Sequence, residues 1–204
     1  MPESDVVSDP SPIISATRSS VVTIYGPAGA GKSQVAKAVA AALGEEVAAR
    51  VPTDYFLVPR SEGMALAEYH GRSLGWDWAL LAARLALPLG TATSTPDVDF
   101  EAFVRRAPTG GLAFTVRPVM IVDAMAPFPG ANLRVLLEAP DDVRRARIVD
   151  RDRRWGTTVS DRWEHLQATW AAARDGVAPD LVLDATRPIA DTAARIAEVV
   201  RRRG

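Results

Sequence analysis

The chain has 204 residues, of which 48% are hydrophobic, and a formal net charge of −1. This length and composition suffice for one sizeable core and predict a single domain. The near-neutral charge gives no reason to expect a nucleic-acid or membrane partner. Because the sequence contains no cysteine, disulfides, thiolate metal sites and a cysteine nucleophile are excluded.

The first residues of the chain differ in composition from the rest. Residues 1–19 are rich in Ser, Pro and Asp and lack the apolar core of a signal peptide. No apolar run approaches the ~18 residues that a membrane helix needs. We therefore expect a disordered tail over 1–19, one domain over 20–204 and a cytoplasmic location. The sequence leaves open whether the chain forms a homo-oligomer.

A glycine-rich segment fits the Walker A pattern G-x-x-x-x-G-K-[ST] without a mismatch, and reads Gly26-Pro27-Ala28-Gly29-Ala30-Gly31-Lys32-Ser33. Residues 21–25 predict a strand before it, and residues 34–43, from Gln34, predict a helix after it. Backbone N–H groups of such a loop surround phosphate oxygens, while Lys32 can reach the β- and γ-phosphates. The Ser33 hydroxyl can ligate Mg²⁺, so the segment predicts a site for ATP with Mg²⁺.

After this loop, short apolar runs alternate with helical patterns, which predicts a mainly parallel sheet flanked by helices. We predict strands at 47–51, 119–122, 133–137 and 181–183, and helices at 76–87, from about 143, at 160–174 and at 189–202. A short strand pair is predicted near 113–116, after Gly110-Gly111. The predicted fold class is therefore an α/β P-loop NTPase three-layer sandwich, with ligands at the carboxyl ends of the strands.

Two aspartates follow predicted strands of this sheet. Asp123 ends the run 119–122, where a carboxylate is expected to hold Mg²⁺ directly or through water, or else to cap the next turn. Asp54 follows the second strand, on the side where an acceptor hydroxyl would arrive. There Asp54 can orient the hydroxyl and take its proton, or it can be a turn residue, since Pro-Thr-Asp is also turn chemistry.

Residues 144–154 contain six arginines. Some of them are expected to close over the nucleotide and offset charge on the transferring phosphoryl group, and the rest to be surface residues paired with nearby aspartates. Trp76-Asp77-Trp78 opens the helix predicted at 76–87, where the tryptophans either line an acceptor pocket or belong to the core. His70 and His165 have no partner at ligand spacing and are treated as structural.

The order of these features resembles the uridine kinase group of P-loop kinases, which includes phosphoribulokinase and pantothenate kinase, over about residues 20–185. The similarity rests on Asp54-Tyr55-Phe56, Trp76-Asp77, Pro96-Asp97-Val98-Asp99-Phe100, the strand ending in Asp123, and the arginine-rich segment with Arg151-Asp152. The resemblance implies a kinase that moves the γ-phosphoryl group of MgATP to a hydroxyl of a nucleoside-like or other small metabolite.

The resemblance also implies roles for individual residues. Asp54 would be the catalytic base, acting with Lys32 and Arg151, and Asp77 would hold acceptor hydroxyls. ATP would be covered by a lid that contains Arg147, Arg151 and Arg153. The acceptor would be surrounded by Asp54, Tyr55, Trp76, Asp77 and Phe100.

The chain departs from the pattern of that group at three places. Val98 replaces a tyrosine, Phe103 stands near the position of a histidine that reads the pyrimidine, and Val122-Asp123-Ala124 replaces a Glu-Gly element. A pocket without those polar groups loses hydrogen bonds to a base edge, so uridine and cytidine are weaker expectations than kinase activity itself. Two alternatives stay open: a nucleotide monophosphate kinase, with Arg60 and Arg72 as acceptor-side candidates, and a non-kinase ATPase or NTP-binding regulatory protein.

Overall fold

A computed structural model describes residues 18–72, 75–174 and 177–203 of the chain. The tail expected over 1–19 therefore lies outside the described residues, apart from its last two positions. Across the described ranges, no helix combines the length and apolar character needed to cross a membrane.

The described residues form the following elements in chain order: β1 (Ser20–Tyr25), α1 (Lys32–Leu43), β2 (Ala48–Pro52), a first 3₁₀ turn (Thr53–Phe56), α2 (Leu66–Gly71), α3 (Trp78–Leu85), β3 (Ala92–Asp99), β4 (Val104–Thr115), β5 (Val119–Ala124), β6 (Leu133–Glu138), α4 (Asp141–Trp155), a second 3₁₀ turn (Val159–Arg162), α5 (Trp163–Arg174), β7 (Leu181–Asp184) and α6 (Ile189–Arg202).

Five parallel strands form the central sheet in the order β2-β5-β1-β6-β7. Strands β1 and β5 lie at its centre and are buried at every position. Such strands read as near-continuous apolar runs, because both of their faces are covered. The predicted strands at 21–25, 119–122, 133–137 and 181–183 are therefore confirmed, each to within a residue or two.

Two layers cover the sheet, which confirms the predicted α/β sandwich. On one face, helices α1 and α6 pack against the strands through side chains such as Val39 and Ile196. On the other face, α3 and the first 3₁₀ turn pack against the strands through Leu81 and Phe56. The alternation of side chains along each strand divides the core between the two faces.

Strands β3 and β4 form an antiparallel hairpin that is much longer than the predicted strand pair near 113–116. Gly110 and Gly111 lie inside β4 and not at its beginning, next to a shift in register. Gly110 has a φ of 103°, and a Cβ at Gly111 would lie 2.1 Å from the carbonyl oxygen of Pro96. The two glycines thus permit a bulge where the strands approach closely.

Strand β3 and helix α2 were not predicted from the sequence, and two helices were predicted to begin too early. The first is α3, and the second is α5, since residues 160–162 belong to the second 3₁₀ turn. Strand β3 is rich in Ser, Thr, Pro and Asp and buries only two positions, so it lacks the apolar alternation by which strands are recognised. Helix α3 begins at Trp78 and not at Trp76, because the Asp77 side chain accepts a hydrogen bond from the Leu80 amide and caps the first turn.

Candidate functional site

A cleft of about 690 Å³ opens at the carboxyl-end edge of the sheet. Its walls come from the loop after β1, the turn after β2, the end of β5, the loop after β7, and helices α4 and α5. It brings together twelve residues that the sequence analysis assigned to a site: Ala28, Gly29, Ala30, Gly31, Lys32, Ser33, Gln34, Asp54, Phe100, Asp123, Arg147 and Arg151.

The glycine-rich loop is held tightly between β1 and α4. Gly29 has a φ of 80°, and a Cβ there would lie 2.5 Å from the carbonyl oxygen of Arg144, so both backbone conformation and space require glycine. The left-handed Gly31 precedes α1, whose first turn contains no acidic residue. The positive end of the α1 dipole is therefore uncompensated by a carboxylate in that turn and is suited to an anion.

The Lys32 side chain turns back toward the glycine-rich loop. Its Nζ donates a hydrogen bond of 2.8 Å to the Pro27 carbonyl oxygen. Burial lowers the pKa of Lys32 to about 8, while the negative charges of Asp54 and Asp123 act in the opposite direction. The ammonium group thus remains predominantly charged at neutral pH, with its positive charge directed at the loop.

Asp123 is buried at the end of β5 and is bonded from two sides. The Ser33 Oγ donates to Asp123 Oδ2 over 2.6 Å. Arg50 donates from Nε to Oδ1 over 2.8 Å and from Nη2 to Oδ2 over 2.9 Å. The sequence analysis missed Arg50, although an arginine within a short strand of a buried sheet was a signal that could have been followed.

Asp54 lies in the first 3₁₀ turn, directly after β2, and its side chain lines the cleft. Desolvation among the surrounding protein atoms raises its pKa above the ordinary value, and the negative charge of Asp123 raises it further. Lys32, Arg50 and Arg151 act in the opposite direction and lower it. Asp54 and Lys32 are thus electrostatically coupled within one cleft.

The arginines of α4 fall on different sides of the helix. Arg147 and Arg151 line the cleft, and Arg147 Nη2 donates to the Ala185 carbonyl oxygen over 2.9 Å. Arg153, which was expected in the same lid, instead lines a separate groove beside Asp142 and Asp150. This correction follows from helical geometry, since neighbours two positions apart in a helix do not share a face.

Asp152 is a structural residue within the Arg151-Asp152 pair. It is buried, accepts a hydrogen bond from Thr157 Oγ1, and accepts another from the Ser160 amide over 2.6 Å. Although burial acts against ionisation, these hydrogen bonds lower the pKa of Asp152 to about 2. The carboxylate thus fixes the segment that joins α4 to the second 3₁₀ turn.

Arg144 connects α4 to the glycine-rich loop and was not singled out from the sequence. The side chain is 3% exposed and donates to the Ala28 carbonyl oxygen over 3.1 Å and to Gln167 over 2.9 Å. It also pairs with Asp141, and its guanidinium carbon lies 4.9 Å from the centre of the Trp163 ring. Arg144 thereby ties α4, α5 and the loop together.

Replacing Arg144 by alanine is expected to lower the free energy of unfolding by about 3 kcal/mol, because charged hydrogen bonds and a cation–π contact are lost together. Denaturant unfolding followed by circular dichroism measures this change. The neighbouring Arg145 is exposed on the same helix, so Arg145→Ala is the matched control and should stay within about 0.5 kcal/mol of the wild type. Equal losses of unfolding free energy in Arg144→Ala and Arg145→Ala would contradict the role of Arg144 in joining α4, α5 and the loop.

Asp77 and Trp76 do not line the cleft, contrary to the acceptor-binding role implied for them. Asp77 accepts from Leu80 N and from Arg105 Nη1, at 3.0 and 2.9 Å. Burial by itself would raise the pKa of the Asp77 carboxyl, but these two hydrogen-bond partners outweigh burial and hold the pKa below its usual range. Trp76 stacks on Trp78, with ring centres 5.5 Å apart. Both residues therefore organise the start of α3.

Aromatic side chains form one wall of the cleft. Phe100 and Phe103 line it, and Tyr55 supports Phe100 edge-on, with ring centres 5.0 Å apart. His70 and His165 line the same cleft, and His70 packs edge-on against Phe103 at 5.0 Å. The sequence analysis treated both histidines as structural, because nothing in their spacing indicates that the fold brings them together.

No known family model matches the chain, and no curated protein matches it in sequence. Solved structures resemble it in fold. A "putative fructose transport system kinase" from Silicibacter sp. TM1040 superposes with a TM-score of 0.60 at 21% identity, covering 83% of this chain and 91% of that one. A gluconokinase from Sinorhizobium meliloti 1021 gives a TM-score of 0.46 at 18% identity, covering 91% and 97%. The chain therefore shares its α/β fold with the first of these structures.

Proposed function

We propose that the protein is an ATP-dependent small-molecule kinase, which moves the γ-phosphoryl group of MgATP to a hydroxyl of a nucleoside-like or other small metabolite. The observation that carries this proposal is that one cleft contains both the phosphate loop with Lys32 and the Asp54 carboxylate. The first is a binding site for the donor, and the second is a base for an alcohol acceptor.

The donor half of the site would act by electrostatics and positioning. The loop N–H groups and the N-terminus of α1 would surround the phosphates, and Lys32 would stabilise charge on the γ-phosphoryl group. Arg147 and Arg151 line the facing wall of the cleft on α4 and would offset further negative charge. Arg153 does not line the cleft and is left out of this role.

The residues beside the phosphate loop fit a magnesium ion that arrives with ATP. A hydroxyl and a carboxylate provide the oxygen ligands that Mg²⁺ prefers, and Ser33 and Asp123 are in contact. When bound, the ion would neutralise charge on the phosphates. Ser33 would hold it, and Asp123 would orient the Ser33 hydroxyl from behind.

In the transfer step, the acceptor hydroxyl oxygen would form a bond to the γ-phosphorus while the bond to the bridging oxygen of ADP breaks. Asp54 would take the hydroxyl proton, which leaves a phosphate ester and ADP as products. The surrounding wall contains Leu57, Tyr69, Phe100 and Phe103, so it would contact an acceptor mostly through apolar and aromatic surface. Asp77 is engaged by Arg105 and lies outside this wall, which weakens the case for a ribose held as in uridine kinase.

A coupled ADP-release assay over nucleosides, sugars, vitamins and nucleotide monophosphates tests this proposal. Fructose belongs in the panel because of the name of the protein whose fold this chain shares. We expect ADP release to depend on one class of hydroxyl acceptor and to be absent from the Lys32→Ala variant. Slow ATP hydrolysis that no acceptor stimulates would instead favour a regulatory ATPase, and selective stimulation by a monophosphate would favour a nucleotide monophosphate kinase.

A further inference from the structure

Arg50 occupies an unusual position for a charged residue. It lies in the middle of β2, which pairs with β5 through a parallel register that aligns Pro52 with Asp123. Its side chain is 19% exposed and that of Asp123 is 5% exposed, so the ion pair is largely shielded from water. Burial of a charge is costly unless a partner compensates it, and here the partner is Asp123.

Both oxygens of the Asp123 carboxylate accept hydrogen bonds from Arg50. Arg50 donates to Oδ1 and to Oδ2, as a guanidinium does in a bidentate pair. Ser33 donates to Oδ2 as well. The negative charge of Asp123 is therefore balanced by the protein itself, before any other cation reaches the cleft.

A divalent cation alone would find few ligands in this cleft. Within the ranges that the structure describes, no group of three or more His, Cys, Asp or Glu residues could hold a metal ion. Beside Ser33 the cation would meet a carboxylate already paired with Arg50, and it would be repelled by the guanidinium and by Lys32. The phosphates of a nucleotide would provide the missing negative charge and oxygen ligands.

We propose that Arg50 is an internal counter-ion of Asp123, which prevents this carboxylate from binding a divalent cation in the free protein and keeps it behind the Ser33 hydroxyl. The cation then enters only together with nucleotide phosphates. This inference rests on the proposed function, because it takes the cleft to be the site of a metal–nucleotide complex. Arg50 is a positioning residue under this proposal and touches neither substrate.

Titration of the nucleotide-free protein with Mn²⁺, followed through the paramagnetic resonance signal of the free ion, tests the proposal directly. Removing a unit charge a few ångströms from the carboxylate in Arg50→Gln should tighten Mn²⁺ binding about tenfold or more. Adding Asp123→Asn to Arg50→Gln should abolish the gain in affinity for Mn²⁺. Arg50→Lys keeps the positive charge and should bind Mn²⁺ as weakly as the wild type.

Two further variants serve as controls. Arg134→Gln removes a strand arginine that does not contact Asp123, so it should leave Mn²⁺ binding unchanged. Arg50→Met keeps the aliphatic length of the side chain and replaces Arg50→Gln if the latter fails to fold, as judged by thermal unfolding. Mn²⁺ binding by Arg50→Gln or Arg50→Met no tighter than by the wild type would overturn the proposal, as would tight Mn²⁺ binding by the free wild type.

The same samples allow the role of Arg50 to be tested separately from the proposed kinase function. A fluorescent ATP analogue with Mg²⁺ is titrated against the wild type and against Arg50→Gln. Binding by the wild type with no gain in Mn²⁺ affinity in Arg50→Gln would refute the role of Arg50 and leave the kinase proposal intact. No binding by the wild type would refute the proposed function itself.

Discussion

Lys32→Ala is expected to reduce kcat/KM for acceptor-dependent ADP release by about 10³-fold or more, because a charged group aimed at the transferring phosphoryl is lost. The fold should survive, since the Lys32 side chain makes a single hydrogen bond, to the Pro27 carbonyl oxygen, and its charge is disfavoured by burial. Steady-state kinetics with a saturating acceptor and a thermal melt of the same sample measure the two effects.

The chain provides a matched control for this substitution, because Lys32 and Lys37 are its only lysines. Lys37 is exposed on the same helix, so Lys37→Ala should retain wild-type kinetics. Lys32→Arg should not restore activity, since a planar guanidinium cannot replace a compact ammonium group within a tight loop. Full activity of Lys32→Ala would refute the assignment of the phosphate loop.

Asp54→Asn is expected to lower kcat by about 10²- to 10⁴-fold, because an amide cannot accept the hydroxyl proton. The dissociation constant of MgATP should change much less, since the role proposed for Asp54 is toward the acceptor hydroxyl and not toward the nucleotide. Stopped-flow or quench measurement of transfer, together with equilibrium titration of ATP, separates the two quantities. A loss confined to ATP affinity would show that Asp54 is not the base.

The pH dependence provides a second test of Asp54. A base acts in its deprotonated form, so kcat/KM should fall as the pH drops through the pKa of Asp54. Because desolvation and the charge of Asp123 raise that pKa, the acidic limb should lie above the pH at which an ordinary aspartate titrates. Asp97→Asn, on the neighbouring hairpin and outside the cleft lining, should keep this limb, and Asp54→Asn should lose it.

The glycine-rich loop of the cleft could be predicted because its information is local. The eight residues from Gly26 to Ser33, directly after β1, encode a turn with positive-φ glycines and a helix start. Asp54 and Asp123 could be placed at the same edge because parallel strands present their carboxyl ends together. The apolar runs of β1 and β5 likewise follow from burial on both faces.

The surroundings of the proposed acceptor site could not be predicted, because they depend on contacts between residues far apart in the chain. Asp77 was expected to hold acceptor hydroxyls, but its carboxylate accepts a hydrogen bond from Arg105, 28 positions later in the chain. His70 and Phe103 come from different elements and meet only because the hairpin of β3 and β4 folds toward α2. A polar, bulged strand such as β3 gives little periodicity by which to predict that contact.

The sequence by itself determined the layered α/β fold and the phosphate loop, since both are encoded in residues close together along the chain. Tertiary structure alone decided which charges face the cleft. Helical rotation directs Arg147 and Arg151 into the cleft and Arg153 away from it, and the alignment of β2 with β5 brings Arg50 to Asp123. The physical reason is that hydrophobic burial fixes the elements, whereas the pairing of charges depends on how those elements pack.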